Sequence, residues 1–166
     1  MESYDMDYFL GMLRKVSIEN DSLSGVCEDL IGLLKDVSGG GRIKVGYVSG
    51  IITSDGKEHI DRNMALLKRN TSKIRESVGF PVFSAADIFH NESYDKFGGI
   101  EEHEWYAFWR NVLKSGYITE VFMTPRWEHS AGAKDEFATA GEAGILVNHT
   151  FAKPEVHEPA DTNTQA

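Results

Sequence analysis

Residues 117–148 read YITEVFMTPRWEHSAGAKDEFATAGEAGILVN, and this stretch decides the fold. Tyr117 to Thr124 is a β-rich run stopped by Pro125. A loop leads into a helix-forming segment from Gly132 to Ala143, and Gly144 to Asn148 is a second β-rich run. Two strands joined by a helix of that length form a βαβ unit, which implies parallel pairing and a right-handed crossover. The same alternation extends upstream. Ile43 to Ser49 reads as a strand ending at Gly50. His59 to Val78 reads as a helix, with Ile60, Met64, Leu67, Thr71 and Ile74 on one stripe. Phe80 to Ala85 reads as another strand, and Glu101 to Lys114 as a helix ended by Gly116. The expected fold class is α/β: a Rossmann- or flavodoxin-like parallel sheet of four to five strands flanked by helices, spanning residues 42–150.

Residues 1–41 read as a helical extension. Tyr8, Phe9, Met12, Leu13 and Val16 recur at helical spacing. Asn20, Asp21 and Ser22 break and recap the chain, and Val26, Leu30, Ile31, Leu33 and Leu34 form a second apolar face. Ser38-Gly39-Gly40-Gly41 marks the boundary. Residues 151–166, with Pro154 and Pro159 among polar side chains, read as a flexible tail.

The chain has 166 residues and a formal charge of −9, from 17 basic against 26 acidic side chains. With 41% apolar residues it sits within the globular range, and its length suits one core. The acidic balance argues against a nucleic-acid polymer or an anionic membrane as partner. The lone Cys27 excludes an internal disulfide and a multi-cysteine zinc site, and reads as a small core residue. No apolar run approaches a membrane span, and the acidic N-terminus is unlike a signal peptide. These features lead us to expect a soluble protein of a reducing, cytoplasmic compartment.

In a parallel sheet of this kind ligands bind beyond the C-terminal strand ends. The loops of interest are therefore 50–58, 85–100 and 124–132. The third is the most informative. Free N–H groups where it enters the helix, with the positive end of the helix dipole, favour an anion such as phosphate. Ser130 adds a hydroxyl and Gly132 leaves room. Glu136, near the first turn, is a carboxylate able to face a sugar whose anomeric carbon becomes cationic. Spacing alone favours a plainer reading, with Ser130 only a cap and Glu136 a surface residue compensating the dipole.

The segment from Trp127 through Ser130, Gly132 and Glu136, followed by Ala138, Ala140, Gly144 and Ile145, resembles the nucleoside 2-deoxyribosyltransferase-like superfamily. That group includes the 2'-deoxynucleoside 5'-phosphate N-hydrolases. Tyr47-Val48-Ser49-Gly50-Ile51-Ile52 is similar to the family's first strand and its substrate-contacting turn. The resemblance implies cleavage or transfer at an N-glycosidic bond, with Glu136 as the nucleophile. It implies that Tyr47 orients Glu136, that Ser130 and Gly132 contact phosphate or sugar, and that Ser49, Gly50 and Ile51 approach the substrate. It further implies a small nucleoside or nucleotide as partner, no cofactor or metal, and homo-oligomeric assembly.

The sequence departs from the family pattern in three places. Asn111 stands where many relatives carry an aspartate that assists the leaving base, so Glu102, Glu104 or Glu128 is left to supply an acid. Thr119 or Glu120 replaces a second aspartate. A fifth strand is not evident after Asn148.

Other candidates carry plainer readings. His90, His103 and His129 lie in or near the loops, but Glu101-Glu102-His103-Glu104 lacks the two-histidine spacing of a helical zinc motif and reads as a solvated helix start. Trp105, Phe108 and Trp109 read as a buried helix face. Trp127 is placed to wall a pocket. Arg126 reads equally as a phosphate contact or a surface cation. Asp55-Gly56-Lys57 reads as a turn.

Overall fold

The computed structural model describes residues 5–54, 56–89 and 95–149. Two helices open the chain. In α1 (Met6–Ile18) the Asp5 carboxylate accepts from Tyr8 N at 3.1 Å, a side-chain cap on the first turn. Ser22 caps α2 (Leu23–Val37) in the same way, accepting from Gly25 N at 3.0 Å. Asn20 closes the hairpin by donating to Val16 O and to Asp29, both at 2.8 Å. Gly39, Gly40 and Gly41 then run through φ of 60°, 75° and 98°. Three consecutive residues in the left-handed region require glycine, and the chain turns there toward the sheet.

The sheet holds β1 (Gly46–Ser49), β2 (Val82–Ser84), β3 (Glu120–Met123) and β4 (Leu146–Asn148), all parallel, in the order β2-β1-β3-β4. The crossover from β1 to β2 is α3 (Ile60–Ser77), preceded by a 3₁₀ turn, Lys57–His59. A short helix α4 (Ala85–Ile88) and α5 (Glu102–Leu113) lie between β2 and β3, and α6 (Ala131–Glu142) joins β3 to β4. The step from β1 to β2 runs opposite in direction to the two later steps. Right-handed crossovers therefore put α3 on one face and α5 and α6 on the other, while α4, at the end of β2, is tied to α3 by the Arg75–Asp87 ion pair. Tyr47 packs accordingly, its ring 4.8 Å from that of Trp109 on α5 and 5.4 Å from Phe83 on β2.

The hairpin α1–α2 packs into the same core. Phe9 meets Phe83 edge-on at 6.1 Å, and Leu13, Val26, Leu30 and Leu34 share the cluster with the strand residues. Cys27 is half-buried against that cluster, and burial pushes its thiol pKa up. Phe108 packs edge-on with both Trp105 and Trp109, and Phe89 meets Trp105 and Phe108 edge-on, so the three α5 rings form that helix's inner face.

Several elements are shorter than the sequence suggests. Ile43 and Lys44 are exposed, and β1 begins only at Gly46. Ala85, read as the end of a strand, starts α4, because Ser84 and Asp87 form a capping box. Among the described residues the sheet has four strands. The flexible-tail reading of residues 151–166, and the readings of Asp55 and His90, lie outside the described residues. No helix among the described residues is long and apolar enough to cross a membrane.

Central β1 is closely packed. A Cβ on Gly46 would stand 2.8 Å from Phe122 Cε2 and 3.1 Å from Val82 Cγ2. We therefore expect Gly46→Ala to destabilise the fold by about 1–3 kcal/mol through overpacking, read from denaturant midpoints.

Candidate active site

The strand order reverses across β1, so the crevice between the C-terminal ends of β1 and β3 is the topological switch point. Thr124, just past β3, ties the two ends together. Its N–H and its hydroxyl both donate to Ser49 O, at 3.1 and 3.0 Å. A Cβ on Gly50 would stand 2.6 Å from Thr124 Oγ1, so glycine lets the chain leave β1 against that clamp. Gly50 and Ile51 are half-buried at the mouth, and Asn63 holds the loop by donating to Ile52 O at 3.0 Å.

After β3 the chain turns sharply. Arg126 has φ of 65°, the only positive value among the described non-glycine residues. The left-handed conformation costs such a residue about 1 kcal/mol or more. The turn continues as the 3₁₀ segment Trp127–His129 and delivers Ser130 as the N-cap of α6. Ser130 is buried and accepts from Ala133 N at 3.1 Å. Its capping part is thus present, and its side chain sits at the helix mouth beside Gly132. A Cβ on Gly132 would touch Ser130 Oγ and Tyr106 Cε1, each at an ordinary 3.8 Å, so the backbone at that mouth is open to approach.

Glu136 is no surface carboxylate. It turns from α6 onto β1, where Tyr47 and Ser49 each donate to Oε1 at 2.9 Å. Both bonds fall on one oxygen. Burial of the carboxyl pushes its pKa up to about 7 against the pull of the Ser49 and Tyr47 hydrogen bonds, and the Asp135 charge adds to the rise. Burial, with the neighbouring Glu136 charge and hydrogen bond, holds the Tyr47 phenol pKa well above its ordinary value. A half-buried acid poised near neutrality at the switch point is the ionisation pattern of a candidate reactive group.

Other sequence candidates fall in different places. Ser49 is committed to Glu136. Arg126 is exposed. Trp127 stacks on Phe137 at 4.8 Å and lies 5.9 Å from the His149 ring, forming an aromatic cluster with them. Asn111 is exposed on α5 while Trp109, Val112 and Leu113 face inward, so its amide is turned away from the core-facing side of that helix. The α5 residues that face α6 are instead Glu102, Tyr106 and Arg110, spaced four apart. Burial, with the hydrogen bond that Tyr106 donates to Glu102 Oε1, pushes the phenol pKa up to about 12. Arg110 forks onto Asp135.

Glu101 and Glu104 form a capping box at the start of α5. His103 is an exposed partner of Glu101 at 3.3 Å, and His129 is exposed. Among the described residues no group of three His, Cys, Asp or Glu side chains is arranged to hold a metal ion. Glu120 is buried and accepts from Asn148 at 2.9 Å, bridging β3 and β4.

Comparison with known proteins gives no match to any family model, curated protein or solved structure.

Proposed function

We propose that this protein cleaves or transfers at the N-glycosidic bond of a nucleoside, deoxynucleoside or nucleoside 5'-phosphate, through a covalent glycosyl–Glu136 ester. The observation that carries the reading is one carboxylate, half-buried at the switch point and held through a single oxygen by Tyr47 and Ser49. Oε2 takes no part in those two bonds and serves as the attacking atom. Its lone pair forms the bond to C1', the C1'–N bond breaks, and the electron pair leaves with the base, which takes its proton from solvent water; the balance is restored when water later attacks C1' and gives up a proton. Water then attacks C1' and releases Glu136, or a second base takes water's place. Two displacements retain configuration, as in a retaining glycosidase. Free N–H groups at the α6 mouth, open beside Gly132, suit a 5'-phosphate. The resemblance to nucleoside 2-deoxyribosyltransferase-like enzymes supports the same roles, with the chain acting as a cytoplasmic homo-oligomer without a cofactor.

A second reading is a nucleotide-binding module that does not cleave. The solvent-facing Asn111 favours it, since no acid comes from that position. Incubating the protein with a panel of nucleosides, deoxynucleosides and their 5'-phosphates, with free base followed by chromatography, tests both. Base release with a glycosyl mass increment on the Glu136 peptide is the expected result. Saturable binding without release from any member over long incubation overturns the glycosidic reading in favour of the binding module.

A further inference from the structure

Glu136 sits beside a second carboxylate on the same helix, and that carboxylate is engaged by the neighbouring helix. Asp135 receives two bonds from one guanidinium, Arg110 Nε to Oδ2 at 3.0 Å and Nη2 to Oδ1 at 2.5 Å. A planar fork on a carboxylate fixes orientation as well as charge. Lys114, the C-cap of α5, also pairs with Glu142 of α6, at 3.3 Å, but the Arg110–Asp135 pair is the one next to the candidate nucleophile. Arg110 is itself steered by its own helix: Tyr106 lies one turn away with its ring 6.0 Å from the guanidinium carbon, and Glu102 holds the Tyr106 hydroxyl.

We propose that the Arg110–Asp135 pair is a charge-balancing device for Glu136, neutralising the one carboxylate adjacent to it on α6. The inference rests on the reading of Glu136 as the reacting group. Arg110 does not bond to Glu136 and acts through Asp135.

The surroundings of Glu136 leave few other charges to do this. On β1, Tyr47 and Ser49 face it and are neutral donors. Strand alternation gives β3 only Val121 and Met123 on that face, and β4 only Val147. The turn before α6 carries Arg126, Glu128 and His129, and α6 carries Lys134 and Glu142, all five exposed to solvent. On α5, Tyr106 and Arg110 face α6. Asp135 is the nearby anion that raises the Glu136 pKa, and Arg110 is the cation set against it.

Two substitutions break the same ion pair and leave opposite charges behind. Arg110→Ala leaves Asp135 unbalanced, and Asp135→Asn leaves Arg110 unbalanced. Loosening of the α5–α6 contact is common to both, so it moves the Glu136 titration the same way in each. Charge balance moves it in opposite directions. The readout is the side-chain carboxyl resonance of Glu136 in protein labelled with ¹³C-glutamate, assigned by its loss in Glu136→Gln. We expect the midpoint to rise by about half a pH unit in Arg110→Ala and to fall by a similar amount in Asp135→Asn. Arg110→Lys keeps the charge and is expected to stay near the wild-type value. Midpoints that move together in the first two variants, or that do not move, overturn the proposal. The titration needs no substrate. Opposite shifts without base release from any nucleoside would sink the glycosidic reading and leave the charge balance standing, while base release with unmoved titrations would do the reverse.

Discussion

Under the proposed chemistry, Glu136→Gln is expected to slow base release by on the order of 10³-fold or more, because it removes the proposed attacking oxygen while keeping shape and volume. The glutamine side-chain oxygen still accepts from Tyr47 and Ser49, so the local arrangement is kept and substrate binding survives. The loss falls on kcat far more than on KM. Glu136→Ala is expected to lose as much turnover and also to free Tyr47 and Ser49 from the bonds that hold them. Chromatography of free base from the most reactive substrate decides the matter, and undiminished release from both variants would overturn the assignment of the nucleophile. The wild-type pH profile carries a second check. A nucleophile must be ionised, so kcat/KM should rise with pH through about 7, where the carboxyl titrates. The Tyr47 hydrogen bond favours the charged form, so Tyr47→Phe is expected to carry that rising limb to higher pH, and a limb moved downward would contradict the arrangement.

How much of this was legible before the structure depends on the distance over which the chain must act. The βαβ order follows from local patterning: breakers at Gly50, Gly116 and Pro125 separate runs whose apolar periods differ, and the parallel sheet with its flanking helices is the packing such runs allow. Ser130 as a cap follows in the same local way. Tyr47 and Glu136, 89 residues apart, were linked only by resemblance, and the structure brings them to 2.9 Å. The short helix α4 was hidden because Phe83 and Ser84 continue a β-rich run, and only the Ser84–Asp87 cap reverses it. The resemblance sets Asn111 at an aspartate position. Helical phase decides its fate, since inward Trp109 and Val112 leave it on the solvent side. The Arg110–Asp135 contact needed the relative height of two helices, which no single helix encodes.

The same burial that poises Glu136 for chemistry should make it costly to the folded state above neutral pH. The carboxyl titrates at about 7 in the fold against an ordinary value of 4.5. Between those values the folded protein binds more proton than the unfolded chain, so the stability associated with the protonated form is complete below about pH 4.5 and is lost as pH rises through 7. A neutral amide in that position does not titrate. The difference in unfolding free energy between Glu136→Gln and wild type should therefore grow in the variant's favour from pH 5 to pH 9. Two and a half pH units correspond to about 3 kcal/mol, and partial solvent access to the side chain reduces this to about 2 kcal/mol. In a chain of this length that is a relative gain of about 4–8 °C in Tm at the alkaline end. Thermal melts of both proteins across the range isolate the effect, because carboxylates common to the two cancel in the difference. A flat difference would mean that the Glu136 carboxyl is as well solvated folded as unfolded, and the poised acid on which the glycosidic chemistry depends would not exist.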